Sequence, residues 1–447
     1  MNVEQSTIYQ RYVENNQRSR GHAERARHRV PTGTSRSLLR HPPFPFYVDR
    51  AQGVTSLDLD GNERIDFHNN YTTLVHGHGH PAILGAVEKQ LERGTTYSAP
   101  GAQELALADS LCRRIGSVDQ VVFNNSGTEA VMVALRIARA VTGRNRIGKF
   151  EGGYHGASDF VMVGGHDLPA PDDPVGVSEP RADVGGLPAA ATADVVLMRY
   201  NDPQAVREAV RRCGSELAAI IVEPVLGAGG VIPAEAEFLA TLRDETRRAG
   251  IVLICDEVIT LRQAVGGAQG YYGLDPDLTT MAKIIGGGFP VGAVGGRQEF
   301  MRALDGDGPV ANLGTFSANP MTMCAGLAAM ELLDEAAIAH INALGERARL
   351  GLSSIIARHD LPAQVSGTGS LFQIHWTRAP LTDARGPATA DPQLNLLTFL
   401  GLLNHGVQLS MRGIGALSTP MTNAHIDTLV AGFDEVASAL RQERWVQ

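Results

Sequence analysis

The chain has 447 residues, of which 43% are apolar, and a formal net charge of −9 at pH 7. This length exceeds one ordinary domain and suits a large domain with a smaller one, and the apolar fraction can fill a substantial core. The acidic balance argues against nucleic acid or an anionic membrane as a general partner, and no apolar run approaches the ~18 residues that a membrane span needs.

The N-terminal segment is rich in arginine, with eight arginines against two glutamates between residues 11 and 40. Such a bias is compatible with a transit peptide. The stretch lacks a secretory apolar core, however, and Tyr9, Tyr12 and Val13 favour a surface helix that lies on a partner subunit. A reducing, cytoplasmic location agrees with four cysteines that show no C-x-x-C spacing, namely Cys112, Cys213, Cys255 and Cys324.

Three alternating histidines, His76, His78 and His80, would all lie on one face if this stretch were a strand, as zinc ligands can. Pro81 directly after them instead favours a loop that enters a helix. We therefore expect no metal site.

A strand-like run, Val121 to Phe123, precedes Asn124-Asn125-Ser126-Gly127-Thr128 and an apolar-periodic segment that extends to about Val141. This order predicts a strand, a tight turn and a helix start, where free N–H groups and the helix dipole favour a phosphate. The hydroxyls of Ser126 and Thr128 would add donors. The alternative is that one of these two residues only caps the helix.

A second turn at a strand end, Glu151 to Gly156, carries the aromatic ring of Tyr154, which could stack on a flat cofactor or serve a structural purpose. The Gly-, Pro-, Ala- and Asp-rich stretch from Gly164 to Ala193 predicts an irregular loop beside the site.

A carboxylate and a lysine complete the pattern. Asp256 ends the apolar run from Ile251, and Lys283 precedes the glycines of residues 286–288. Pyridoxal phosphate (PLP) chemistry requires such a pair, because a lysine amine forms an imine with the cofactor aldehyde and a carboxylate keeps the pyridine nitrogen protonated. Taken singly, Lys283 would read as a solvated loop cation and Asp256 as a helix cap.

Apolar runs alternate with helical segments through the middle of the chain, which predicts an α/β fold with a mainly parallel sheet covered by helices on both faces. The expected strands are Val121–Phe123, Ile147–Phe150, Val195–Tyr200, Leu217–Val225, Ile251–Asp256 and Val291–Gly295. The expected helices are Glu129–Val141, Pro203–Cys213 and Glu235–Ala249. Ligands should gather at the carboxyl ends of the strands.

The chain ends favour a smaller α+β lobe, with helices around Phe372–Ile374 and Val407–Leu409, a terminal amphipathic helix near Asn423–Leu440, and a contribution from Ser56–Phe67. We therefore expect an N-terminal segment (1–66), a large cofactor-binding domain (67–332) and a C-terminal small domain (333–447).

Six motifs in this order resemble the class III aminotransferases, in the branch that contains glutamate-1-semialdehyde aminomutase, β-phenylalanine aminotransferase and D-phenylglycine aminotransferase. The resemblance extends roughly from Val30 to Leu440. The motifs are Asn125–Ala130, Tyr154–Gly156, Glu223-Pro224, Asp256–Val258, Lys283–Gly288 and Gly314–Pro320.

The resemblance implies PLP fold-type I with a seven-stranded type of sheet, and it assigns roles to residues. Lys283 would carry the cofactor and Asp256 would pair with its pyridine nitrogen, while Val258 and Tyr154 would pack on opposite ring faces. The further cofactor residues that it implies are Ser126, Gly127 and Thr128 at the phosphate, Asn201 near the cofactor hydroxyl, Glu223 at a strand end, and Thr315 reaching the phosphate of the other subunit. The last contact implies a homodimer.

Substrate residues follow from the same resemblance. The stretch Ser410–Ser418 lacks the glutamate that the aminomutase carries in this lobe, and its Arg412 matches a pocket arginine of the aryl and β-amino acid aminotransferases. Arg36 would bind a substrate carboxylate through a planar two-pronged contact, with Arg40 as the second candidate, unless both belong to the basic surface helix. Tyr71 would line the pocket.

The predicted reaction moves an amino group from a β-amino or aryl amino acid to 2-oxoglutarate or pyruvate, with Lys283 transferring the proton. The alternatives are an aminomutase or a racemase or epimerase of the same branch, neither of which needs a second keto substrate. A PLP-binding protein without turnover would have no need of the lysine.

Overall fold

The computed structural model describes residues 2–165 and 176–446. The chain forms two compact units, of which the first consists of Met1–His80, His340–Ala379 and Thr389–Gln447 and the second of Pro81–Ala339 and Pro380–Ala388. The main boundaries between the units lie near residues 80 and 340, whereas the boundaries predicted from the sequence are 66/67 and 332/333.

The described residues contain both short and long strands. In chain order they are β1 (Val48–Gln52), β2 (Thr55–Asp58), β3 (Glu63–Asp66), β4 (Gln120–Asn124), β5 (Arg146–Phe150), β6 (Val177–Ser178), β7 (Val195–Met198), β8 (Leu217–Val222), β9 (Val225–Leu226), β10 (Ile232–Pro233), β11 (Val252–Asp256), β12 (Leu278–Ala282), β13 (Gly292–Gly296), β14 (Gln364–Ser366), β15 (Leu371–His375), β16 (Val407–Gln408) and β17 (Ile414–Ala416).

The helices are α1 (Thr7–Asn15), α2 (Gln17–Ala26), α3 (Asn69–Thr72), α4 (Pro81–Leu91), α5 (Ala102–Arg114), α6 (Gly127–Thr142), α7 (Ala189–Ala193), α8 (Pro203–Cys213), α9 (Ala236–Ala249), α10 (Gly267–Tyr272), α11 (Gln298–Met301), α12 (Pro320–Leu332), α13 (Glu335–Arg358), α14 (Arg385–Ala388), α15 (Pro392–Asn404) and α16 (Asn423–Gln442). Within the described part of the chain, no helix is long and apolar enough to cross a membrane.

The second unit is built on an eight-stranded mixed sheet with the order β4-β13-β12-β11-β8-β5-β7-β6. The strands β12, β11, β8, β5 and β7 are parallel neighbours. The strand β13 is antiparallel to β12 and β4, and β6 is antiparallel to β7. Six strands thus run in one direction, which confirms a mainly parallel sheet with one short strand, β6, beyond the predicted seven.

Helices on both faces explain why these strands are continuous apolar runs. In β8, Ile220 packs in the cluster that contains residues of α8 and α9, whereas the next residue, Ile221, packs in the cluster that contains residues of α6. Leu253 and Ile254 of β11 divide in the same way. Because successive side chains point to opposite faces and both faces are covered, the interior positions of β8 and β11 are apolar on both faces.

The first unit, which is the smaller of the two, contains a four-stranded sheet (β1-β2-β3-β16), a three-stranded sheet (β14-β15-β17) and the helix α16. A smaller α+β unit from both chain termini is thereby confirmed. The prediction of helices around Phe372–Ile374 and Val407–Leu409 is wrong, because these runs form β15 and β16. Short apolar runs do not distinguish a buried helix from a buried strand by their period.

The N-terminal helix α1 packs on its own chain. Ile8, Tyr9 and Tyr12 are buried, the Tyr12 hydroxyl donates to the carbonyl of Phe44 at 3.0 Å, and Asn404 Nδ2 donates to the carbonyl of Ile8 at 2.9 Å. The tyrosines that we expected to face a partner subunit therefore anchor the helix within the first unit. They do so because their rings supply the apolar area that holds this short helix in place.

Two further predictions concern loops. The stretch with His76, His78 and His80 is a loop that enters α4 at Pro81, as predicted, and the described residues contain no cluster of three metal-ligating side chains. The predicted irregular loop from Gly164 to Ala193 includes residues 166–175, which lie outside the described residues. Its described remainder contains β6 and α7.

Gly292 in β13 allows the strand to pass close to the backbone of Ser126. A Cβ atom at this position would lie 1.9 Å from the Ser126 carbonyl oxygen. We expect Gly292→Ala to destabilise the protein by about 1–3 kcal/mol, because the strand or the Ser126 turn must move. Gly270→Ala in α10, where a Cβ atom meets no atom within 4 Å, is the matched control and should leave the unfolding midpoint equal or higher. Equal thermal midpoints for the two variants would contradict this view of the turn.

Candidate active site

The candidate site lies at one edge of the large sheet, where the parallel strands end. Strand β4 ends at Asn124, β11 at Asp256 and β12 at Ala282, directly before Lys283. Tyr154 and Glu223 follow the ends of β5 and β8 in the same direction. Parallel strands bring their carboxyl ends together, so residues that are distant in sequence meet at this edge.

The turn after β4 presents the N-terminus of α6. Ser126 is the N-cap, and its hydroxyl oxygen accepts a hydrogen bond from Glu129 N at 3.2 Å. The capping role that we considered as an alternative is therefore present. It does not exclude a phosphate contact, because the hydroxyl still has its own proton to donate and the first N–H groups of a helix attract anions.

Gly127 and Thr128 shape the same turn. A Cβ atom at Gly127 would lie 3.3 Å from a methyl group of Val258 and 3.4 Å from Ala282, so a side chain here would crowd the site. The Thr128 hydroxyl accepts from Ala157 N at 3.1 Å, which ties the turn to the segment after Tyr154. The structure thus brings Gly127, Thr128 and Val258 together.

A buried histidine and a buried aspartate form the centre of the site. His155 Nδ1 lies 2.8 Å from Asp256 Oδ2, and the other Asp256 oxygen accepts from Val258 N at 3.1 Å. Burial lowers the pKa of His155 although the Asp256 carboxylate opposes the shift, so the ring is neutral near pH 7 and donates from Nδ1 to the carboxylate. The sequence motifs predict no role for His155. The signal that could have indicated one is its position at a strand end beside Tyr154.

Tyr154 presents its ring near this pair. The side chain is 42% exposed, and burial together with the Asp256 charge raises the pKa of its hydroxyl. Its main-chain N–H donates to Glu223 Oε1 at 3.1 Å. A neutral aromatic ring with one accessible face is suited to stacking on a flat ligand.

Lys283 lies close to two carboxyl groups. Burial lowers the pKa of its amine to about 8, the charges of Asp256 and Glu223 oppose this shift, and Arg262 adds to it. The residue also has a φ of 51°, a conformation that is uncommon outside glycine and asparagine. An amine with this pKa is partly uncharged near neutral pH, as a nucleophile or a proton acceptor must be.

Glu223 is buried at 4% exposure. Burial, and next the negative charge of Asp256, raises the pKa of its carboxyl to about 8. Its oxygens accept from Tyr154 N at 3.1 Å and from Gly227 N at 3.0 Å. A carboxyl group that stays protonated near pH 7 reduces the negative charge around Asp256 and Lys283.

Two predicted cofactor residues are not joined to this group by their described contacts. Both N–H donors of the Asn201 side chain bond to carbonyls, of Pro233 and Thr382, and its oxygen accepts from Glu235 N. Thr315 is exposed in the loop before α12.

The predicted substrate residues belong to the first unit, where three of the four are close together. The Arg36 guanidinium lies 5.3 Å from the centre of the Tyr71 ring and donates to Asn70 Oδ1 at 2.7 Å. Burial raises the pKa of the Tyr71 hydroxyl, and the charges of Arg36 and Arg412 oppose that shift. Arg40 is exposed after a short turn, Ser37–Leu39, and has no described contact with this cluster.

The backbone that carries Tyr71 is unusual. The four residues Asn69 to Thr72 all have positive φ, between 49° and 70°. Asp66 Oδ1 accepts from the main-chain N–H groups of His68 and Asn69, and Asn69 Nδ2 donates to Ala416 O at 2.7 Å. These bonds stabilise a left-handed turn that L-residues otherwise avoid.

The larger unit has the requirements of a PLP site. It offers a helix N-terminus with a glycine where a side chain would crowd the space, a lysine of lowered pKa, and a buried aspartate held by histidine. These are the groups that a phosphate, an aldehyde and a pyridine nitrogen need. Fold and site together define a PLP-dependent enzyme of fold-type I.

Comparison with known proteins gives the family. The family model Aminotransferase class-III matches residues 39–416, and the chain belongs to this family, whose cofactor is PLP. A glutamate-1-semialdehyde 2,1-aminomutase from Methanothermobacter thermautotrophicus is 39% identical over 93% of this chain and 98% of its own. Other curated relatives, at 36% to 42% identity, bear the same name.

Similar solved structures include proteins named as transaminases and as glutamate-1-semialdehyde aminomutases. An omega-transaminase from Sphaerobacter thermophilus is 42% identical, with a TM-score of 0.90 over 95% of this chain and 98% of that one. A β-phenylalanine aminotransferase from Variovorax paradoxus is 35% identical, with a TM-score of 0.89 over 99% of both chains. The names of the curated relatives agree better with the aminomutase alternative than with the predicted β-amino acid transaminase.

The raised pKa of Glu223 predicts a pH dependence of stability in the protein without added cofactor. Between its ordinary value of 4.5 and about 8, the folded state holds a proton that the unfolded chain has lost, so the free energy of unfolding falls as pH rises through this window. In Glu223→Gln the decline in unfolding midpoint from pH 5 to pH 8 should be smaller. Glu216→Gln, at an exposed carboxyl, should keep the wild-type slope, and an unchanged slope in Glu223→Gln would show that this carboxyl ionises normally.

Proposed function

We propose that this enzyme moves an amino group from an amine that bears a carboxylate, a β-amino acid or an aryl amino acid, to 2-oxoglutarate or pyruvate. The observation that carries the proposal is the pair of arginines, Arg36 and Arg412, around Tyr71, together with a lysine of lowered pKa beside Asp256. The arginines supply recognition of a carboxylate, and the lysine supplies proton transfer.

In this proposal the larger unit holds the cofactor. Ser126, Gly127 and Thr128 bind the phosphate at the N-terminus of α6, and Asp256 binds the pyridine nitrogen. Tyr154 and Val258 contact opposite faces of the ring. Glu223 and Asn201 are assigned to the surroundings of the cofactor, with Glu223 acting as a neutral acid that fixes the main chain of Tyr154.

PLP, when bound, supplies an electron sink for the carbon that carries the amino group. Lys283 takes a proton from that carbon and returns it at a later step, which its pKa of about 8 suits near neutral pH. Asp256 holds a proton on the pyridine nitrogen. His155 keeps the Asp256 carboxylate in one orientation through the 2.8 Å hydrogen bond.

The smaller unit is assigned to the substrate. Arg36 binds the carboxylate, because its planar guanidinium is already held against the Tyr71 ring and by Asn70, so little side-chain entropy is lost on binding. Arg412 adds a second positive charge near Tyr71. Arg40 remains the reserve candidate for the same carboxylate.

A homodimer belongs to the proposal, with Thr315 reaching the phosphate of the partner subunit's cofactor. The surroundings of Thr315 support an interface, since Leu313 is 85% and Phe316 58% exposed on the same loop. A cytoplasmic location is proposed from the free cysteines of the described chain.

The second candidate is an aminomutase, which moves the amino group within one molecule. The names of the curated relatives favour it. The stretch Ser410–Ser418 argues against it, because the resemblance to the mutase implies a glutamate there and this stretch contains none.

The dependence on an amino acceptor separates the two candidates. Purified enzyme with PLP is supplied with β-phenylalanine, 3-aminobutyrate or D-phenylglycine, with and without 2-oxoglutarate or pyruvate. We expect keto product only when an acceptor is present, and none from Lys283→Ala, which also loses the visible absorption of a lysine-linked cofactor. Conversion of glutamate-1-semialdehyde without an acceptor selects the aminomutase. A wild-type protein that remains colourless with PLP refutes both.

Lysine substitutions identify the carboxylate-binding arginine. Arg36→Lys should lower kcat/KM for β-phenylalanine by about 10–100-fold, because an ammonium cannot make the two-pronged contact. Arg40→Lys should change this value by less than about threefold, and a larger loss there than in Arg36→Lys would assign the carboxylate to Arg40 instead. Arg412→Lys tests the second charge. 1-Phenylethylamine, which has no carboxylate, should react at an unchanged rate in Arg36→Lys. An equal loss for both amines removes the carboxylate role from Arg36.

A further inference from the structure

Lys149 is a buried lysine that has no part in the site as described so far. It lies in β5 and is 0% exposed. Its ammonium donates to three main-chain carbonyls, of Gly153 at 2.9 Å, Val161 at 2.9 Å and Val163 at 2.5 Å. All three N–H donors are used, so a charge that would be costly to bury is fully hydrogen-bonded.

These three carbonyls lie in one loop, residues 151–165, which we name the Tyr154 loop. Gly153 directly precedes Tyr154 and lies in the first limb of the loop (residues 151–153). Val161 and Val163 lie in its second limb (residues 161–165). Gly152 N donates to Gly164 O at 2.9 Å, which joins the two limbs a second time. The segment with Tyr154 and His155 is therefore bounded on both sides by bonds to the same ammonium.

Lys149 stays mostly protonated near pH 7. Burial lowers the pKa of its amine to about 8, and the carboxyl group of Asp183 opposes this shift, with a smaller contribution from Glu223. Asp183 accepts from Gly165 N at 2.8 Å, at the end of the Tyr154 loop, and Glu223 accepts from Tyr154 N at 3.1 Å. Both carboxyl groups thus bind the same loop that the ammonium binds.

We propose that Lys149 is a positioning residue that holds the Tyr154 loop so that the Tyr154 ring and the His155–Asp256 hydrogen bond keep their places at the cofactor. The proposal deepens the function proposed above and rests on the roles given there to Tyr154 and Asp256. Lys149 acts only through the main chain of the loop. A residue of similar length without donors would release both limbs, because three charge-assisted hydrogen bonds are lost at once.

The test compares Lys149→Met with Leu242→Ala in the PLP-loaded protein. Leu242 in α9 is 0% exposed and packs in a cluster that contains no residue of the Tyr154 loop, so its truncation weakens the unit without touching the loop bonds. For Lys149→Met we expect amide hydrogen exchange in residues 151–165 to rise about tenfold or more, PLP affinity to fall by about tenfold, and the absorption maximum of bound PLP to shift. Leu242→Ala should keep the wild-type exchange in this loop, the PLP affinity and the absorption maximum.

The test of Lys149 can fail while the proposed PLP-dependent function stands, and the reverse is also true. A Lys149→Met protein with wild-type loop exchange and PLP absorption overturns the proposal, even if it is less stable. If Lys149→Met fails to fold, Lys149→Gln is measured in its place. Because glutamine keeps two N–H donors, this variant should give amide exchange in residues 151–165 and PLP affinity between those of the wild type and those expected for Lys149→Met. Failure of the wild-type protein to bind PLP contradicts the proposed function, whereas the comparison of loop exchange still tests the hold of Lys149 on residues 151–165.

Discussion

Asp256 is 3% exposed at the end of a strand that has parallel neighbours on both sides, and a lone carboxylate there would lose most of its hydration. Its hydrogen bonds with His155 and with the main chain of Val258 replace that hydration. The hydrogen bond between His155 and Asp256 also connects the segment that contains Tyr154 to the segment that contains Val258. Tyr154 directly precedes His155, and Val258 lies two residues after Asp256. The rest of the site therefore depends on this buried pair, because it positions the two residues assigned to opposite faces of the cofactor.

Backbone strain is found where function is proposed. Tyr71, Asn201 and Lys283 all have positive φ, although each such residue costs roughly 1–2 kcal/mol unless it is glycine. The larger unit can hold Lys283 in this conformation because it follows a buried strand. The turn at Tyr71 is held by Asp66 instead, whose carboxylate accepts two main-chain N–H groups and also contacts His78 at 2.8 Å.

The sequence predicts those parts of the fold that local pattern controls. The helix Pro203–Cys213 has the predicted bounds, because Asp202 caps it, Pro203 begins it and a strong apolar face runs along it. Strand β12 was missed, since Leu278-Thr279-Thr280-Met281-Ala282 has neither apolar continuity nor clean alternation. At the site, Lys283 and Asp256 can be predicted from the sequence because PLP chemistry requires a lysine amine and a carboxylate. The pairing of His155 with Asp256 and the three carbonyls on Lys149 do not, because they join segments that only the tertiary fold brings together.

The difference between a transaminase and an aminomutase must arise outside the cofactor machinery. The groups around Asp256 and Lys283 handle a proton and a pyridine nitrogen in either reaction, so they do not discriminate. An aminomutase has to keep one molecule bound through both halves of the reaction, whereas a transaminase has to release a keto product and accept a second acid. In the proposed function Arg36 and Arg412 serve the latter, because two positive charges around Tyr71 would bind a carboxylate of suitable length, of the donor and then of the acceptor. The choice of reaction is thus expected in the smaller unit, around Arg36 and Tyr71 and in the stretch 410–418, which lacks the glutamate that the resemblance to the aminomutase implies.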